Sequence, residues 1–173
     1  MTSHQETIAI YSESVIRTYG FEVRRGLALV TLTPMAAALD LEDAIAKAGI
    51  PEPDLLMATG LSQPDGTLQI QLVLSTGDTP IASREPQEGD AHHLRVVSPV
   101  EVIYFHGPHF GDRYGIAAAV VKELIAGEVE CLAMDCTGAS IYLAVPDGRG
   151  DEAVQHLRRS FSIPGDPPSG EGA

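Results

Sequence analysis

Basic residues and cysteines are both scarce in this chain. Lysine and arginine number 11 against 24 acidic residues, a formal charge of −13. A surface of that sign repels phosphate backbones and anionic headgroups, which argues against nucleic acid and membrane as partners. It attracts cations only where the acids converge, and a solvated acidic surface that aids solubility is the simpler account. The two cysteines, Cys131 and Cys136, lie five apart. In an extended segment they point to opposite faces, and no CxxC pair is present, so neither a mutual disulfide nor a zinc or redox site is expected.

Other signals are missing as well. No apolar run nears the roughly 20 residues needed to span a bilayer, and Met1 to Glu6 is polar without the apolar core of a signal peptide. A cytoplasmic location with reduced thiols is expected. There is no phosphate-cradling GxxxxGK(S/T), no nucleophile elbow and no HExxH, and no two carboxylates form a recognisable pair. No catalytic residue, cofactor or metal is therefore assigned, and the chain is not expected to be an enzyme, although fold class alone does not settle that.

What is present is an ordinary globular composition, with 44% apolar and 20% charged residues over 173 positions. That is long enough to bury a core in one domain or two small ones. Leu27 to Thr33 alternates as a half-buried strand and Pro34 ends it. Asp40 then caps a helix whose apolar stripe is Leu41, Ala44, Ile45 and Ala48, with Gly49 as its stop. Leu55 to Thr59 and Leu68 to Ser75 form a hairpin across Gln63-Pro-Asp-Gly66, with Leu68, Ile70, Leu72 and Leu74 on one face. Gly77 to Ala91 reads as a linker. Arg24 and Arg25 read as a solvated turn before the first strand.

The order then recurs. Val100 to Phe105 is a strand, Asp112 caps a helix running through Ile116, Val120 and Leu124 to Gly127, and Val129 to Met134 with Ser140 to Val145 makes a second hairpin around Thr137-Gly138. A last helix starts near Asp151 and buries Val154, Leu157 and Phe161. Strand, helix, hairpin thus occurs twice, an internal repeat that says more than any single element. It implies an α+β fold of two ferredoxin-like units. Leu94 to Val97 closes the first unit. The second has no strand after its last helix, and the run Ile8 to Tyr19 is expected to supply one, interlocking the two units. The divisions are 7–98 for the first unit, 99–163 for the second and 164–173 for a disordered tail.

Val102 to Phe161 resembles an ACT domain. The resemblance rests on a strand, then Gly107-Pro-His-Phe-Gly-Asp-Arg-Tyr-Gly-Ile116 opening a helix, a hairpin, and Asp151-Glu-Ala-Val-Gln-His-Leu157. In that family a loop of the type Asp-Arg-Pro-Gly, followed by Val or Ile, joins the first strand to the first helix. Asp112-Arg-Tyr-Gly-Ile116 matches it except for Tyr114 in place of proline. The Leu27 to Ser75 unit is similar to a degenerate second copy, because Pro34 to Asp40 lacks the motif. A tandem pair of this length resembles the regulatory region of aspartokinases, including those in which it is a separate small subunit. The resemblance implies allosteric binding of a free amino acid, a homodimer and, because no output domain is evident, a partner enzyme or a change of oligomer.

The loop has a physical case of its own. The N–H groups of Tyr114, Gly115 and Ile116 at a helix start can hold a carboxylate, Gly115 lets a ligand approach the backbone, and Asp112 complements an α-ammonium group. The plain alternative is that Asp112 only caps its helix while Gly111 and Gly115 only shape a turn. His109 and Phe110 are expected to line the same pocket beside Arg113. His106 and His109, with His92 and His93, invite a metal reading that lacks an evident third ligand. Two further functions stay open: an assembly module with vacant ACT-like units, and a metal-responsive ferredoxin-like sensor.

Overall fold

The computed structural model describes residues 16–34, 54–75, 77, 82–85 and 92–165. The elements are β1 (Ile16–Arg17), β2 (Gly20–Pro34), β3 (Asp54–Ser62), β4 (Leu68–Ser75), β5 (His92–His106), a 3-10 turn (Phe110–Asp112), α1 (Ile116–Ala126), β6 (Ala133–Thr137), β7 (Ser140–Pro146), α2 (Gly150–Leu157) and β8 (Phe161–Ser162). The helix expected over Asp40 to Gly49 and the tail beyond Gly165 lie outside the described residues.

Six strands form one sheet in the order β3-β4-β2-β5-β7-β6, and β1 pairs with β8 in a second, two-stranded one. The two-unit α+β expectation holds, with the units sharing strands. β2 and β5 are each 15 residues long and pair antiparallel from Gly20↔His106 to Pro34↔His92. One half of that ribbon joins β4, through Ala28↔Leu74 to Leu32↔Ile70. The other half joins β7, through Val100↔Pro146 to His106↔Ser140. The strands Leu94 to Val97 and Val100 to Phe105 are therefore one, continuous across a register shift between Arg24 and Leu29 on β2. Such a bulge bends a long ribbon and lets each half serve a different lobe.

The sheet curls. Leu29, Met57 and Val73 from one half are buried in a cluster with Val100, Val102, Ala133 and Ala144 from the other, so the two halves of the sheet face one another across a shared core and the sheet comes close to a barrel. On the opposite face of the second lobe, α1 and α2 cover Ile103, Phe105, Ile141 and Leu143. Helix α1 buries Ile116, Val120, Glu123 and Leu124, the i, i+4, i+7, i+8 stripe of a one-sided helix.

Four local expectations need correction. Arg24 and Arg25 lie within β2: Arg24 pairs with Glu22 at 2.7 Å, and Arg25 pairs with Glu101 at 3.1 Å and Asp151 at 2.7 Å. The second hairpin begins at Ala133 instead of Val129, because the chain first turns out of α1 through Glu128 at φ 52°. Helix α2 ends at Leu157, and Phe161 belongs to β8. The second unit therefore does have a strand after its last helix, and the N-terminal segment pairs with it: Ile16↔Phe161 and Arg17↔Ser162, parallel. Of the run Ile8 to Tyr19 only residues 16–19 are described, and there the interlocking expected of the N-terminus is seen through β1.

Within the linker, residues 82–85 fold back on β5. The Arg84 N–H donates to the Val96 carbonyl at 2.9 Å and the Val96 N–H to the Arg84 carbonyl at 2.7 Å. This covers a strand edge that would otherwise be open to another chain.

Candidate functional site

The candidate loop leaves the end of β5 and enters α1. Its start is fixed by crowding: a Cβ on Gly107 would meet the Arg17 carbonyl oxygen at 2.2 Å and the Phe110 ring at 2.4 Å. The chain then reverses at His109, which adopts φ 63° and ψ 17°. Phe110 turns inward, buried between Phe105 (centroids 6.1 Å apart, edge-on) and Phe161 (6.2 Å). Its ring anchors the loop to the core beneath it. Gly111 lies against the β6–β7 turn, where a Cβ would stand 2.7 Å from the Gly138 carbonyl oxygen.

The outer half of the loop is polar and open. Asp112 sits in the 3-10 turn, its N–H donating to the His109 carbonyl at 3.1 Å, and its carboxylate lies 3.7 Å from His109 Nδ1. Both side chains are more than half exposed. Arg113 is extended and Tyr114 is 98% exposed.

Asp112 does not cap α1, contrary to expectation. The N-cap is Gly115, at φ 86° and with no side-chain cap hydrogen bond. That backbone conformation suits glycine and strains other residues. The first intrahelical bond runs from the Ala119 N–H to the Gly115 carbonyl at 2.9 Å. The donors without an intrahelical partner are consequently those of Gly115 to Ala118, a shift toward the helix from Tyr114, Gly115 and Ile116. Ile116 itself is buried in the core of the second lobe, so it offers its backbone and not its side chain.

The chemistry available is a set of convergent N–H donors at the positive end of an 11-residue helix, with one exposed carboxylate three residues before the cap. Among the described residues no group of three His, Cys, Asp or Glu side chains can hold a metal ion. His106 stacks against Tyr19 and Tyr104 (5.1 and 5.4 Å) while His109 turns to Asp112. His92 and His93 enter β5 at its far end from His106. Cys131 and Cys136 are free thiols. Both residues are exposed, yet partial desolvation of the sulfur pushes each thiol above its ordinary value, with Cys136 and Glu130 adding to it for Cys131 and Asp135 for Cys136.

Gly138 and Arg17 shape the loop from outside; Thr137-Gly138 reads in the sequence as a hairpin turn and Arg17 as part of an N-terminal strand, neither as part of the loop. No local signal marks their contact with the loop, since each acts through its backbone and from a distant element.

The sequence matches no family model and no curated protein. The fold is similar to several solved structures. One is the ligand-free regulatory subunit of aspartate kinase from Thermus thermophilus, with a TM-score of 0.61 at 10% identity, covering 83% of this chain and 99% of that one. A second is the same subunit from Thermus flavus, at 0.59 and 10%, covering 83% and 97%. A third is E. coli aspartokinase III in complex with lysine and aspartate, at 0.56 and 14%, where 86% of this chain aligns with 34% of the longer one. At these identities the likeness is one of fold. It extends over both lobes, as the tandem ACT resemblance implied.

Proposed function

We propose that this chain is a non-catalytic regulatory module that binds a free amino acid at the loop formed by His109, Phe110, Gly111, Asp112, Arg113, Tyr114, Gly115 and Ile116. The carboxylate of the ligand would lie against the N–H groups opening α1 and its ammonium group against Asp112, with Phe110 holding the loop from below. The observation that carries this reading is the anchoring of the loop between Arg17, the aromatic core and Gly138, while its polar side stays open. A preorganised loop spends less of its binding energy on ordering itself.

Because β1 and β8 pack beside the same loop, a ligand there would bear on how the N-terminal segment seats on the second lobe. The signal would pass by linkage to a homodimer or a partner enzyme in the cytoplasm, limited by the ligand's differential affinity for the two states. The regulatory subunits with the same fold support a role of this kind. Calorimetric titration of the intact chain with each of the twenty common amino acids tests it. Saturable binding of one or a few, lost in Asp112→Asn, is expected; binding of none would remove the reading.

A second reading, an assembly module without a ligand, draws on one observation. The outer face of α1 exposes Val121 and Ile125, the latter to 72%, beside Ala117 and Ala118. Sedimentation of the wild type and of Ile125→Glu separates the two, since only the assembly reading makes Ile125 decisive while no amino acid binds.

A further inference from the structure

The face of the second lobe turned away from α1 and α2 carries a regular grid of side chains. Strand register places Glu22, Tyr104, Tyr142 and Asp135 side by side in one row across β2, β5, β7 and β6. The tyrosine rings stand 4.9 Å apart at 42°. The next row brings His106 to 5.4 Å from Tyr104, and Tyr19 extends the aromatic run at 5.1 Å from His106. Tyr19 is 61% exposed, Glu22 is exposed, and Tyr104, Tyr142 and Asp135 are half-buried. The result is an aromatic strip whose four-residue row, Glu22-Tyr104-Tyr142-Asp135, has a carboxylate at each end, and which leaves that row through His106 to Tyr19.

The two carboxylates differ. At the Glu22 end the protein already seats a guanidinium, with Arg24 Nε donating to Glu22 Oε1 at 2.7 Å. At the other end Asp135 has no hydrogen bond or ion pair among the described residues. Directly opposed on neighbouring antiparallel strands, Asp135 and Tyr142 present a carboxylate and a ring face within reach of a single cation.

We propose that this strip is a docking platform for an arginine-bearing segment of a partner protein, with one guanidinium lying over the Tyr142 and Tyr104 rings and paired with Asp135. A planar, weakly hydrated guanidinium satisfies both features, by stacking on the rings and by forked hydrogen bonding to the carboxylate. A compact ammonium satisfies chiefly the second. One cation at a half-exposed ring gains little alone, and the strip runs on to His106 and Tyr19, which suits an extended segment. The charge of −13 draws a basic partner toward the protein, and the rings decide where it settles. The platform lies on the face of the sheet opposite α1, meets the loop only at the end of β5 where His106 precedes Gly107, and uses none of the loop residues.

The test is titration of the intact chain with a capped Gly-Arg-Gly-Arg-Gly peptide at about pH 8, above the usual imidazole range, read on the ring resonances of Tyr104 and Tyr142. Saturable shifts are expected, with the lysine counterpart weaker. Asp135→Asn should weaken binding about threefold and Tyr142→Leu about fivefold. Arg24→Gln frees Glu22 and should tighten binding about twofold. Asp135→Asn preserves shape, so it decides the matter if Tyr142→Leu fails to fold. Three results would overturn the proposal: no saturable shift, equal affinity for the lysine peptide, or an affinity unchanged in Asp135→Asn.

Discussion

The Arg17 carbonyl oxygen lies so close over Gly107 that a single added methyl group there would stand 2.2 Å from it. This contact seats β1 on the end of β5, just where the candidate loop begins. Two hydrogen bonds reinforce it: the buried Thr18 hydroxyl donates to the His106 carbonyl at 2.7 Å, and the Tyr19 N–H donates to the same oxygen at 2.9 Å.

Replacing Gly107 by alanine should therefore force β1 or Phe110 to move. The expected cost is about 1–3 kcal/mol, the usual range for overpacking a tight site. Urea unfolding would show it as a lower midpoint with an unchanged slope. A midpoint equal to wild type would contradict the close approach.

The N-terminal segment should stabilise the second lobe. Thr18→Val removes a buried hydroxyl bond and should cost about 1 kcal/mol. Deleting residues 1–19 also withdraws Ile16, 7% exposed, from the core it shares with Phe161, and burial of such a side chain is worth about 1.5–3 kcal/mol. Thermal unfolding of both variants checks this, and a truncated chain as stable as the full one would refute the interlocking.

Glu101 is 3% exposed on β5 and accepts the Gly150 N–H, at the start of α2, at 2.6 Å, while Arg25 pairs with its other oxygen at 3.1 Å. Glu101→Ala leaves that buried N–H unsatisfied, and about 1–3 kcal/mol should be lost. Glu101→Gln keeps an acceptor and should cost less, because Arg25 is half exposed and water can take over its half of the contact. Denaturant unfolding of the pair gives the order; equal losses would mean that Arg25, and not the helix start, is the main partner.

The cysteines make stability fall in alkali. Their thiol pKa values are raised in the folded chain, chiefly by partial desolvation of the sulfur, so the unfolded chain ionises first, near the ordinary thiol value of about 8.5. The contribution is intact below that value and is lost as pH rises through the folded pKa. Between about pH 7 and pH 10 the wild type should lose more stability than Cys131→Ser/Cys136→Ser. Iodoacetamide should also label the native thiols more slowly than a free cysteine.

How far the sequence could be read depended on how local each signal was. The hairpin of β3 and β4 was clear because Leu68, Ile70, Leu72 and Leu74 alternate with glutamines. The helix from Ile116 to Gly127 was clear from its stripe and its glycine stop. β8, at two residues, is too short to show a period, and Phe161 continues the helical spacing of Val154 and Leu157, so it read as helix. Asp112 offered an N-cap, yet Gly115 took that role once the 3-10 turn had used Asp112. β5 read as two strands because Ser98-Pro99 interrupts the pattern, where the structure keeps one strand through a bulge. The loop residues are contiguous and could be found together. The contacts Gly107 to Arg17, Gly111 to Gly138 and Glu101 to Gly150 join distant positions, and only the fold brings them together.

Whether the loop entering α1 holds an amino acid is decided by following backbone amide resonances of the intact chain during titration with the amino-acid panel. A binding amino acid should move the amides of Asp112 and of Gly115 to Ala118 saturably, with smaller shifts at Arg17 and Thr18. Asp112→Asn should abolish them. An unmoved loop under every amino acid, or saturable shifts confined to other parts of the sheet, would rule out an amino-acid site at the start of α1.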